Sequence, residues 1–118
     1  MKTLIPLFGF VVLCCACDKN STDDLTEPTP VDMVTYTEHV KPIIDNNCIV
    51  CHANPPVNSA PMPLIGYEHV KQAVIERGLI DRISREQGAP GMMPNGGMRL
   101  PQHQIDLIIQ WKDQGFQE

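Results

Sequence analysis

Cys48-Ile49-Val50-Cys51-His52 is the stretch on which the reading of this chain turns. Two thiols stand three residues apart, about one turn of chain, so both sulfurs come to the same side. An imidazole follows the second thiol at once. Two thioether bonds to the two vinyl groups of one macrocycle require that separation. The next residue is then carried beneath the ring centre, where its nitrogen can take iron. Cys48 and Cys51 therefore read as attachment points for one covalent haem c, and His52 as the proximal iron ligand.

Two other uses of such a motif fit less well. A zinc knuckle offers a second Cys or His pair, and the body of this chain has no second cysteine pair. A redox dithiol of the thioredoxin kind follows a strand in a βαβ pattern, and no strand-like alternation occurs here.

The flanks of the motif are helical. Upstream, Tyr36, Val40 and Ile44 fall at helical spacing, which predicts a helix over Thr35–Asn47. Thr35 and Glu38 have the spacing of a capping box. Pro42 interrupts this pattern, so the regular helix either starts nearer His39 or bends there. Downstream, Tyr67, Val70 and Val74 mark a second helix closed by Gly78, and Leu79, Ile80 and Ile83 suggest one or two further turns. Ile105, Ile108, Ile109 and Trp111 make a last helix between Pro101 and Gln114, with Gly115 as its stop. The expected class is all-α, with residues 35–118 as the folded domain.

Composition agrees with a small domain that draws on a cofactor. The chain has 118 residues, and its 11 Pro and 8 Gly suggest short helices joined by stiffened loops. Nine basic residues stand against 14 acidic ones, a formal net charge of -5, and no basic stripe suited to nucleic acid occurs.

The N-terminus reads as an address. Met1-Lys2 and the apolar run from Leu4 to Leu13 fit a secretory signal and are too short to span a bilayer comfortably. Leu13-Cys14-Cys15-Ala16-Cys17 resembles a lipobox, with Cys17 the lipidated residue and Cys15 the alternative. The Leu lies four residues before Cys17, where a lipobox prefers three. On this reading residues 1–16 are the signal. Residues 17–34, rich in Asp, Thr and Pro, form a polar tether unable to fold alone. The expected location is outside the cytoplasm, membrane-anchored through the lipid, facing the periplasm or the cell exterior.

Taken together, Val40-Lys41-Pro42-Ile43-Ile44 before the Cys-x-x-Cys-His motif, Gly91-Met92-Met93-Pro94-Asn95-Gly96-Gly97 after it, and the closing Trp111-Lys112-Asp113-Gln114-Gly115 resemble the class I monohaem cytochrome c domains of bacteria. The resemblance covers roughly residues 35–117 and is weakest between Ala53 and Pro63. It implies a cytochrome c-like fold, with three main helices and short turns around the haem. It also implies His/Met ligation, the Met preceding a Pro in a Gly-rich loop. Met93 matches that position, with Met62 and Met92 as alternatives and Met98 a bystander.

His39, His69 and His103 read as surface residues, and Arg82 and Arg99 as candidates for the haem carboxylates. Val40, Ile44, Leu64, Val70, Ile83, Leu100, Ile105, Ile108 and Trp111 are the expected apolar shell. The implied function is one-electron transfer between a redox-protein donor and acceptor, without catalysis. The alternative is a haem-based sensor or enzyme subunit with a displaceable distal ligand.

Overall fold

A computed structural model describes residues 31–118. The expected signal, Cys15, Cys17 and most of the tether lie outside the described residues. Those described form helices and turns without a strand, so the fold is all-α.

The first helical stretch differs from the regular helix expected over Thr35–Asn47. Tyr36–Val40 is a wide π-type turn that runs directly into α1, Lys41–Asn47. The wide turn closes with Val40 N–H donating to Thr35 O (3.3 Å) and Lys41 N–H to Tyr36 O. Pro42 accounts for the change: it has no N–H to give Glu38 O, and in a regular helix its ring would crowd that carbonyl. The capping box is also only half made. Thr35 Oγ1 accepts from Glu38 N–H (3.3 Å), but the Thr35 N–H turns to His39 Nδ1 (3.1 Å) instead of to the Glu38 side chain.

α2 is Tyr67–Glu76 and α3 is Leu79–Ser84. Gly78 stands between them at φ +66, a left-handed conformation that a residue with a Cβ adopts at a cost. α4 is Gln102–Asp113, bounded by Pro101 and Gly115 as its sequence implied.

The first and last elements pack together. Val34, Val40, Val70, Ile108 and Trp111 are fully buried in one core. Trp111 meets Tyr36, Tyr67 and Phe116 with ring centroids 4.9–5.9 Å apart, the Phe116 ring edge-on at 90°. Such pairs contribute about 0.5–1.5 kcal/mol each beyond the area they bury.

Packing also begins ahead of Thr35. Val34 N–H donates to Gln114 Oε1 (2.7 Å), Gln114 Nε2 donates to Asp32 O (3.0 Å), and Gln110 Nε2 to Val31 O (2.5 Å). Residues 31–34 are thus moored to α4 and belong to the domain, although their composition reads as tether.

Candidate functional site

The Cys-x-x-Cys-His stretch leaves α1 as a further helical turn. Cys48 N–H donates to Ile44 O (2.8 Å), and His52 N–H to Cys48 O (2.9 Å). This turn opens onto a cavity of about 790 Å³ whose wall includes Cys48, Cys51, His52, Met62 and Met93. Residues 45 apart in sequence, Cys48 and Met93, therefore face one space.

His52 is held at two points by the chain that follows it. Its carbonyl accepts from Leu64 N–H (2.8 Å), and its Nδ1 lies 2.8 Å from Met62 O. A carbonyl only accepts, so Nδ1 is the donor, which leaves Nε2 as the nitrogen available to a metal. This is how proteins orient and tautomerise an imidazole that ligates a metal. His52 is buried, with 8% of its surface exposed.

The two thiols differ. Burial pushes the Cys48 thiol up to about 11, so it stays protonated. Reactive redox dithiols have lowered thiol values, and Cys48 is shifted the opposite way. Cys51 Sγ is 3.6 Å from Asn58 Nδ2. Among the described residues no three His, Cys, Asp or Glu side chains gather as a metal-ion centre would need, so the zinc reading gains no donor set.

The methionines separate by position. Met93 is on the cavity wall, whereas adjacent Met92 is buried away from it, at 5% exposure. Met62 also lines the cavity, but its backbone carbonyl is engaged with the His52 ring. Met98 is exposed. His39, His69 and His103 do not line the cavity.

Of the expected apolar shell, Leu64 and Ile83 reach the cavity, and the other seven residues are buried away from its wall. The two arginines also part company. Arg82 lines the cavity, while Arg99 is spent on backbone carbonyls, with Nε donating to Arg85 O (3.1 Å) and Nη2 to Ser84 O (3.4 Å). Arg77, which no sequence signal marked, joins Arg82 on the wall, and among the described residues no carboxylate does.

These residues fit a haem. The cavity holds two thiols, an oriented imidazole, a thioether and two guanidinium groups suited to carboxylates, on an otherwise largely apolar lining. Comparison of the chain with protein-family models, with curated proteins and with solved structures found no match. The functional reading therefore stands on the residues themselves.

Proposed function

We propose that this chain is a monohaem c-type cytochrome that carries single electrons outside the cytoplasm, with its helices forming a cytochrome c-like fold. The observation that carries the reading is that Cys48, Cys51, His52 and Met93 all open onto one cavity. A haem held there supplies reversible one-electron chemistry at iron.

The chain's own residues do the rest. Cys48 and Cys51 fix the ring by two thioethers. His52 offers Nε2 because Met62 O holds its Nδ1 proton. Met93 would supply the second iron ligand; Met62 is the weaker candidate because its backbone carbonyl is already engaged with the His52 ring. Arg77 and Arg82, both on the cavity wall, would be the partners for the haem carboxylates. Leu64, Leu79 and Ile83 keep water from the ring, which favours the less charged ferrous state. With His52 and Met93 both supplied by the chain, a bound haem would leave substrate no place at the metal, so the function proposed is electron transfer between a redox-protein donor and acceptor.

The test is expression with a haem-maturation system, followed by intact mass and the visible spectrum of the pyridine complex. One covalently retained haem with the band position of two thioethers is the expected result. A colourless protein, or one whose colour leaves on acid–acetone extraction, overturns the reading.

We also propose that Cys17 carries lipid. Cys17→Ser should then move the cytochrome from the membrane fraction to the soluble extracytoplasmic fraction, still red. Release by Cys15→Ser instead would put the lipid on Cys15. No change with either variant would remove the anchor from the account.

A further inference from the structure

Between α3 and α4 the chain crosses the cavity in a loop that includes Met93, and this loop is tied down by side chains reaching to backbone. Arg85 Nη1 donates to Pro90 O (2.5 Å), and Arg82 Nη1 donates to Gly91 O (3.2 Å). Arg82 contributes a second bond through its own carbonyl, which accepts the Met93 N–H (3.1 Å). Arg85 is aimed by Asp81, one helical turn back, whose Oδ2 lies 2.7 Å from Arg85 Nη2.

At the far side Gln87 braces the loop across its neck. Its Nε2 donates to Gly97 O (3.1 Å) and its Oε1 accepts from Arg99 N–H (2.7 Å).

Gly91 shows how closely the two guanidiniums crowd the loop. A Cβ there would fall 2.2 Å from Arg82 Nη1 and 2.5 Å from Arg85 Nη1, and its φ of +74 already suits glycine. Only a residue without a side chain lets both arginines reach adjacent carbonyls. Two residues further on, the chain sends Met92 into the interior and Met93 to the cavity, so a slip of the Pro90–Gly91 segment would misplace both.

We propose that Arg85 is a positioning residue, which with Arg82 pins the Pro90–Gly91 backbone to α3 and so keeps Met93 seated on the cavity. The proposal rests on the haem reading above. Arg85 is the cleaner member to test, because Arg82 also lines the cavity and Arg85 does not.

The experiment uses the haem-loaded protein. In Arg85→Met, haem content should match the wild type, since neither thioether nor His52 is touched. Imidazole must displace Met93 to bind, so its apparent affinity reports how often Met93 is unseated. It should rise about tenfold, equivalent to ~1.4 kcal/mol less hold on the methionine.

The weak red-edge band of sulfur bound to ferric iron should fade on warming well below the unfolding midpoint. Gly91→Ala, which pushes on both guanidiniums, should act in the same direction. Lys41→Met, which breaks a comparable surface pair with Asp45 on α1, is the control and should leave band and affinity unchanged. Imidazole affinity and band in Arg85→Met within about twofold of wild type would overturn the proposal, as would an equal effect in Lys41→Met. If Met93→Ala itself keeps the band, the ligand assignment is what failed, and the positioning role falls with it.

Discussion

Replacing His52 by alanine is expected to reduce the yield of haem-loaded protein by about 100-fold, because it removes the proposed iron ligand, and the supporting partners of such a ligand alone are typically worth 10- to 100-fold in metal affinity. The imidazole is not a surface group that happens to follow a cysteine. It is buried, its carbonyl ties it to Leu64, and its Nδ1 proton is spoken for by Met62 O. The loop from Ala53 to Pro63 therefore returns to hold this one side chain.

Cys48→Ala and Cys51→Ala should each leave a single thioether, with the absorption of the pyridine complex displaced from its two-thioether position. The double variant should lose its colour on acid–acetone extraction. Full-yield protein with an unshifted spectrum from either single variant would end the attachment assignment. Normal incorporation in His52→Ala would show that another group takes the proximal position.

Met93→Ala carries the second large effect. Haem should remain attached, since Cys48, Cys51 and His52 are unaltered, but the red-edge band should disappear. The reduction potential should fall by on the order of 100 mV or more, within the roughly 0.8 V that axial ligands command. Carbon monoxide and imidazole, resisted by the wild type, should then bind. Met62→Ala and Met92→Ala serve as comparisons, and each should keep the band. Loss of the band in Met62→Ala alone would transfer the ligand role to Met62. Ready carbon monoxide binding by the wild type would favour a sensor or enzyme subunit over an electron carrier.

The parts of the molecule that were legible in its sequence are those governed by short-range rules. Ile105, Ile108 and Trp111 recur at helical spacing, and Pro101 and Gly115 bracket them, so α4 could be drawn before any coordinates. The thiol spacing and the following histidine likewise carry their chemistry locally. The rest depended on partners far along the chain. Val31 and Asp32 look like tether until Gln110 and Gln114 reach them from some 80 residues away.

Local competition was equally hard to foresee. Glu38 was the expected partner of the Thr35 N–H, yet His39 takes it once Pro42 widens the turn. The proline after Met93 singled it out from Met92 in the Gly-rich loop, but it does not say how that loop is held at the cavity. That follows from Arg82 on α3 and Arg85 just beyond it bonding to Gly91 O and Pro90 O, and from Met93 N–H bonding to Arg82 O. Arg77, which had no expected role, lines the cavity while Arg99 does not, since a guanidinium's partner is chosen by the fold and not by its sequence neighbours.

The mooring of residues 31–34 to α4 has a consequence for how the domain meets other molecules. None of Val31, Asp32, Gln110 or Gln114 belongs to the cavity wall, so pull on the chain ahead of Val31 is taken up by a helix that contributes nothing to that wall. If Cys17 carries lipid as proposed, the roughly fourteen residues before that mooring span about 50 Å at most. Anchored in that way, the domain would be confined to a thin layer beside the membrane with the cavity mouth free of the load, and its encounters would be a search within a surface film instead of a volume.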